Sequence, residues 1–153
     1  MSFSKKTAWA VGALLLTTLI GFLFWIYFGP KETVAGIFID YERSLAGLEV
    51  KRVWIPGVQI SYLEGGAGET LLLIHGSGDD KDSWTPVAKY LTGRYRVIAP
   101  DLPGFGESDR LEKGGYKAQD QVKHLQAFTR TLGLTAFHLG GHSLGGKISA
   151  AYA

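Results

Sequence analysis

The chain has 153 residues, with 16 basic and 14 acidic side chains, and therefore a net charge of +2. So small a charge, carried by dispersed basic residues, argues against a nucleic-acid-binding protein. The chain has no cysteine, which excludes a lipid-modified cysteine as an anchor.

Residues 8–28 form an uncharged apolar stretch. At about 1.5 Å per residue, a helix of this length spans the roughly 30 Å hydrocarbon core of a bilayer. A cleaved signal peptide is the alternative, and Thr33-Val34-Ala35 resembles a cleavage site, but its apolar region usually has only about 7–15 residues. We therefore predict a single-pass membrane anchor. Lys5 and Lys6 precede it, which favours a cytoplasmic N-terminus and places the rest of the chain on the periplasmic or extracellular side.

The segment after the anchor is predicted to be helical. In residues 34–45, Ile37, Tyr41 and Leu45 recur at a spacing of four, which places them on one face of a helix. Such a helix either lies along the membrane surface or packs as a linker. The sequence thus divides into three regions: a tail and anchor (1–30), a juxtamembrane linker or amphipathic helix (31–47) and a third region (48–153).

A hairpin and a buried strand open the third region. Residues 50–62 indicate a hairpin with a turn at Pro56-Gly57, and residues 70–74 indicate a strand buried on both faces. The loop His75-Gly76-Ser77-Gly78 follows that strand directly. In acyl transfer, backbone N–H groups stabilise the tetrahedral oxyanion, and removing one such donor costs roughly 3–4 kcal/mol. Ser77 is the candidate donor in this loop.

A turn-rich segment follows the next strand. A helix capped by Asp82 or Ser83 is predicted to run towards Leu91 and to end at Gly93, and residues 95–99 form an apolar strand. Residues 101–108, Asp-Leu-Pro-Gly-Phe-Gly-Glu-Ser, then turn sharply. Asp101 is well suited to bind neighbouring backbone N–H groups at the strand end, so we predict a structural role for it.

The pentapeptide Gly141-His142-Ser143-Leu144-Gly145 is the strongest catalytic motif. A helix over residues 116–132 and a strand over 135–139 precede it, and an apolar, proline-free helix begins at Leu144. This is the strand, turn and helix context of a nucleophile elbow, with Ser143 as nucleophile and the Leu144 N–H as the second oxyanion donor. The elbow strains the serine backbone, and Gly141, Gly145 and Gly146 leave room for it.

A serine hydroxyl needs an imidazole base, which a carboxylate orients. The four histidines, His75, His124, His138 and His142, all precede Ser143. The order expected around such an elbow is serine, acid, histidine, so none of the four suits the base. The ring of His142 should lean away from the hydroxyl, because neighbouring residues at a strand end face opposite sides.

In their order and spacing, residues 75–78, 101–108 and 141–145 resemble the α/β-hydrolase fold superfamily. The resemblance covers residues 48–153 and implies the N-terminal part of an α/β sheet, mostly parallel with helices on both faces. With the anchor in front, the chain is similar to the monoacylglycerol-lipase-like and bacterial lipase branch. The resemblance further implies that this chain is a fragment, inactive alone, whose triad histidine and acid lie downstream of Ser143.

The function that the resemblance implies is a serine esterase or lipase, acting on ester or lipid-derived substrates without a metal or cofactor. Carbon–carbon bond hydrolysis on the same fold is one alternative. A catalytically inactive, membrane-tethered module that binds a partner is the other. Dehalogenases and epoxide hydrolases of this fold carry an aspartate where Ser143 stands, which argues against those reactions.

Overall fold

The computed structural model describes residues 5–29, 31–112 and 114–153. The chain divides into two compact units, one ending at Phe38 and the other beginning at Ile39. The second unit holds a five-stranded sheet with its helices. It also carries every residue that the sequence assigns to a catalytic or oxyanion role.

Two helices come first in the chain. Helix α1 (Lys5–Phe28) contains one stretch, Thr7–Phe28, that is long and apolar enough to cross a membrane, with a mean hydropathy of 2.1 and no burial. Helix α2 (Lys31–Leu45) begins before the predicted Val34. It ends just before Gly47, whose left-handed φ of 62° is typical of a residue that closes a helix.

The strands form one mixed sheet in the order β1-β2-β4-β3-β5. They are β1 (Leu48–Ile55), β2 (Val58–Gly65), β3 (Glu69–Ile74), β4 (Tyr95–Pro100) and β5 (His138–Gly141). β1 and β2 are the predicted hairpin, with Gly57 at a φ of 83° in its turn. β2 pairs antiparallel with β4, whereas β3 lies parallel to both β4 and β5. The carboxyl ends of β3, β4 and β5 therefore meet at one edge of the sheet, where open α/β sheets bind ligands.

The position of β5 differs from the prediction. The sequence favours a strand over residues 135–139, but β5 spans His138–Gly141, with Gly141 opposite Ile74 of β3. Glycine has a low strand propensity. The structure nevertheless requires it, because a side chain on Gly141 would meet the backbone of Gly145 at 2.6 Å. Tertiary packing therefore overrides the local preference.

The helices of the second unit flank the sheet. A 3₁₀ turn (Lys81–Trp84) leads into α3 (Thr85–Ala88), and the later helices are α4 (Ala118–Thr131) and α5 (Leu144–Tyr152). The predicted helix capped by Asp82 or Ser83 is wrong at both ends, because the 3₁₀ turn already begins at Lys81 and α3 ends at Ala88 rather than near Leu91. Asp80 is the cap, because its side chain accepts a hydrogen bond from the N–H of Asp82. Helix α4 begins at Ala118 rather than at Tyr116.

Each face of the sheet has its own apolar core. Val97 and Ile98, neighbours in β4, are fully buried on opposite faces. One core joins Ile98 to Phe128 of α4 and Ile148 of α5. The other joins Val97 to Ala88 of α3. Helices therefore cover both faces of the sheet, and the predicted α/β class is confirmed.

Candidate active site

Ser143 lies in the turn between β5 and α5. Its φ of 52° and ψ of −120° make it the one non-glycine residue with a positive φ in the described parts of the chain. Such a conformation costs of order 1–3 kcal/mol and persists only where the surrounding structure holds it. The residue is exposed, and its side chain makes no capping hydrogen bond to α5. The hydroxyl is therefore accessible at the carboxyl edge of the sheet.

The glycines around Ser143 allow the turn to pack backbone against backbone. A side chain on Gly145 would collide with the carbonyl oxygens of Ile74 and His75. The N–H of His142 also donates to the carbonyl oxygen of Ile74, at 3.4 Å. The first residues of α5 therefore pack directly against the end of β3.

The packing of α5 against β3 brings the two candidate oxyanion donors to the same edge of the sheet. Ser77 lies exposed in the loop that leaves β3, and Leu144 is the first residue of α5. Within the described residues, neither backbone N–H donates to a protein acceptor. Both donors are therefore available to a bound oxyanion, which is what an oxyanion hole requires.

His75 is fully buried and fully hydrogen-bonded. Its Nε2 accepts from the N–H of Leu102 at 3.0 Å, so the proton must reside on Nδ1, which lies 2.7 Å from the carbonyl oxygen of Gly76. The ring also packs edge-on against Phe105, with centroids 5.2 Å apart. His75 therefore ties the loop after β3 to the turn after β4, and both of its nitrogens are occupied.

Asp101 is also fully buried, and it binds backbone N–H groups as its position at a strand end suggests. Its carboxylate accepts from the N–H groups of Lys81 (2.6 Å) and Glu107 (2.8 Å). A side chain on Gly106 would collide with this carboxylate. The arrangement holds the turn of residues 101–108 against the segment that follows the Ser77 loop.

Sequence reasoning missed Lys81. Its side chain is 1% exposed, and its Nζ lies 2.9 Å from Asp101 Oδ2. Burial alone would lower the pKa of Lys81, but the hydrogen bond to Asp101 and the charges of Asp101, Glu107 and Asp82 outweigh it and raise the pKa. The local sequence, with acids on both sides of the lysine, is typical of a solvated loop. The one available signal was Asp101, a strand-end acid that needs a countercharge if it is buried.

The buried pair belongs to a larger charge network. Glu107 lies 3.3 Å from Lys81 Nζ and 3.1 Å from Arg52 Nη2. Burial acts to raise the pKa of Glu107, but the charge of Lys81 and the hydrogen bond from Arg52 prevail and lower it. Arg43 binds both oxygens of Asp82, at 2.7 and 2.6 Å. The end of α2 is therefore connected through ion pairs to the turn that adjoins the site.

The other histidines engage groups other than the serine. Nε2 of His142 lies 3.2 Å from Asp79 Oδ2, and its ring lies beside Trp84 with centroids 5.6 Å apart. Nε2 of His138 lies 2.9 Å from Glu69 Oε2. Burial lowers the pKa of His124. Across the described residues, no histidine ring hydrogen-bonds to Ser143.

Comparison with known proteins agrees with the fold. The model of the α/β-hydrolase fold family matches residues 69–153, and the chain belongs to this family. Lipase 1 of Psychrobacter immobilis is 44% identical over 119 residues, which are 75% of this chain and 37% of that protein. Monoacylglycerol lipase abhd6-A of Xenopus laevis is 29% identical over 147 residues, which are 93% of this chain and 43% of that protein.

Among solved structures, that of a membrane phospholipase A described as a bacterial virulence factor is 40% identical, with a TM-score of 0.76. The structural match covers 96% of this chain and 47% of the phospholipase chain. The chain therefore spans less than half the length of each of these three proteins.

Proposed function

We propose that the protein containing this chain hydrolyses carboxylic esters of lipid-derived substrates, with Ser143 as the nucleophile. The observation that carries the proposal is the backbone of Ser143, which is strained and exposed between a parallel strand and a helix. A serine held in this way is costly to maintain, and such strain clusters at functional sites. The similarity to lipases supports the ester as the substrate class.

The reaction takes place in two halves. Oγ of Ser143 attacks the ester carbonyl and gives its proton to a base, and the N–H groups of Ser77 and Leu144 stabilise the oxyanion. The alcohol leaves with that proton, and an acyl-serine remains. Water then attacks the acyl group and gives a proton to the base. The base passes this proton to Oγ of Ser143 as the carboxylic acid leaves, and the free serine is restored.

The base and its acid are proposed to lie on a part of the protein outside this chain. His75 has no free nitrogen, while His138 and His142 lie against Glu69 and Asp79. The greater length of the relatives is consistent with a triad completed from elsewhere. The chain alone is therefore expected to lack turnover.

Helix α1 is proposed to anchor the protein in a membrane, as the first of the three regions 1–30, 31–47 and 48–153. Its apolar composition and its exposure support a span, and the similarity to a membrane phospholipase extends through this region. Lys5 and Lys6, which precede the apolar stretch Thr7–Phe28, favour a cytoplasmic N-terminus, with the hydrolase region on the opposite side. Anchoring would hold Ser143 close to substrates that partition into lipid.

The test uses the full-length protein in membranes, with Ser143→Ala and, as matched control, Ser83→Ala, an exposed serine outside the site. We expect a fluorophosphonate probe to label the wild type and the control, and we expect Ser143→Ala to lose labelling and about 10³-fold or more of p-nitrophenyl ester hydrolysis. Equal labelling of Ser143→Ala would overturn the assignment of the nucleophile. Turnover of a dienoic ring-cleavage product with no ester hydrolysis would replace the proposed reaction, and no activity of either kind would favour an inactive binding module.

A further inference from the structure

Helix α2 exposes a stripe of large apolar side chains. Ile37, Phe38, Tyr41 and Leu45 are 54%, 61%, 61% and 56% exposed. At about 100° per residue these four positions fall within one face of the helix, roughly 100° wide. An amphipathic helix on a globular protein normally turns such a face towards the core, so the stripe needs an occupant.

The opposite face of α2 is the one fixed to the protein. Arg43 is two residues from both Tyr41 and Leu45, about 200° around the helix from each. Its guanidinium binds both oxygens of Asp82, and the two side chains are only 14% and 12% exposed. Rotating the helix to bury the apolar stripe would break this bidentate ion pair. The polar face therefore serves as the attachment, and the apolar face is left outward.

We propose that the apolar stripe of α2 lies in the interface between lipid and water, an inference that rests on the proposed anchoring by α1. Helix α1 ends at Phe28 and α2 begins at Lys31. Three residue steps reach at most about 10 Å, so if α1 spans the bilayer, α2 starts at its surface. A tyrosine in the stripe suits this depth, because its ring is apolar and its hydroxyl is polar.

The stripe by itself is too small to hold a second copy of the chain. Four side chains on one helix offer far less surface than the roughly 1,200–2,000 Å² that a stable dimer buries. A lipid interface has no such threshold, because the covalent tether to α1 keeps α2 at the surface. Interfacial helices bury their apolar face only about 5–10 Å into the boundary between headgroups and acyl chains.

This chain has no cysteine, so a cysteine introduced into it can be labelled specifically once any cysteines elsewhere in the full-length protein are replaced. Tyr41→Cys, Leu45→Cys, the control Asp40→Cys and the anchor reporter Leu19→Cys are each labelled with a polarity-sensitive fluorophore in the full-length protein. The labelled proteins are reconstituted in vesicles of phosphatidylcholine and phosphatidylglycerol, with and without spin-labelled lipid. The spin label is shallow for positions 40, 41 and 45, and it lies near the end of the acyl chain for position 19. Asp40 is exposed and lies outside the stripe, where its carboxylate pairs with Nη1 of Arg43 at 3.0 Å. Arg43 binds Asp82 through its other two nitrogens, so the control removes no atom of the Arg43–Asp82 pair.

We expect lipid quenching at positions 41 and 45 to be about threefold or more that at position 40, because only the stripe enters the interface. Quenching at position 19 without quenching at 41 and 45 would overturn this inference and leave the anchor standing. A blue-shifted emission at 41 and 45 that spin-labelled lipid does not quench would assign the stripe to protein and also overturn it. No quenching at position 19 would remove the anchor and this inference with it.

Discussion

Nζ of Lys81 lies 2.9 Å from a carboxylate oxygen of Asp101, and both side chains are withdrawn from solvent. Lys81 follows the loop that holds Ser77, and Asp101 follows β4, so the pair joins two of the segments that surround Ser143. Taking a single charge out of water is expensive, and each of these charges is tolerated because the other is present. We therefore predict that the pair acts as a structural support for the site.

Lys81→Met should be strongly destabilising. The substitution keeps much of the volume but leaves Asp101 buried without its countercharge, which typically costs about 3–5 kcal/mol. Lys51→Met is the matched control, because Lys51 is 42% exposed in its ion pair with Glu64 and an exposed pair contributes about 0–1 kcal/mol. Urea denaturation of the full-length variants measures both. Equal midpoints for the two variants would contradict the role assigned to the buried pair.

Gly145→Ala should disrupt the elbow. The added methyl group would collide with the carbonyl oxygens of Ile74 and His75, which are backbone atoms that cannot move aside independently. Overpacking of this kind costs about 1–3 kcal/mol or more. Thermal denaturation measures the loss of stability, and fluorophosphonate labelling of Ser143 should fall with it.

Gly93→Ala is the control for this substitution. Gly93 has no heavy atom within 4 Å of the added methyl position and has no left-handed φ. The melting temperature of the Gly93→Ala variant should stay within a few degrees of that of the wild type, because a surface change of about 0.5 kcal/mol shifts the melting temperature little. A Gly145→Ala variant as stable as this control would show that the close approach to β3 is not needed.

Much of the fold was predictable because its signals are local. The apolar run of α1, the hairpin around Gly57 and the strands β3 and β4 were each recognised within a few residues of their observed bounds. The nucleophile motif was recognisable for the same reason, since its glycines and its serine are contiguous. That Ser143 is the nucleophile remains a prediction, and the fluorophosphonate labelling experiment tests it.

The parts that escaped prediction depend on contacts distant in sequence. The sequence around Lys81 predicts a solvent-exposed side chain. The structure buries it because Asp101, which is distant in sequence, supplies the countercharge. The bounds of β5 were predicted wrongly because glycine has a low strand propensity. Gly141 is needed in this strand because the backbone of α5 approaches it closely, and that contact is not visible in the local sequence. The cap at Asp80 was missed because Asp82 and Ser83, two and three residues further on, are equally good capping types.

The loss of stability at acidic pH should depend on Glu64. Burial alone would raise the pKa of this carboxyl, but hydrogen bonds from Lys51 and Arg96 and their charges lower it below its usual 4.5. A depressed carboxyl pKa contributes stability that is present above about pH 4.5 and is lost as the pH falls through the lower folded value. Glu64→Gln should therefore reduce the free energy of unfolding by about 1 kcal/mol at pH 7, and the difference should vanish in acid.

Urea denaturation between pH 3 and pH 7 measures this profile. Glu49→Gln is the control, because the Glu49 side chain is 78% exposed and lies 3.9 Å from Lys51. Its profile should follow that of the wild type at every pH. A Glu64→Gln difference that stays constant from pH 7 to pH 3 would contradict an ionic origin.

The oxyanion hole can be tested by removing one N–H group. Ser77 has a negative φ and is exposed, so proline can replace it without the strain of a left-handed residue. Ser77→Pro removes the donor and should lower kcat about 10²–10³-fold, the usual loss for one oxyanion donor. Ser77→Ala keeps the N–H and removes only the hydroxyl, so its kcat should stay within a few-fold of the wild type.

The two variants separate a backbone role from a side-chain role. Steady-state hydrolysis of a p-nitrophenyl ester gives kcat and KM, and thermal denaturation shows whether the proline variant is folded. A donor that acts in the transition state lowers kcat with little change in KM. If Ser77→Ala loses as much kcat as Ser77→Pro, the hydroxyl is the active group. If a folded Ser77→Pro keeps its kcat, the second donor must come from another residue of the loop.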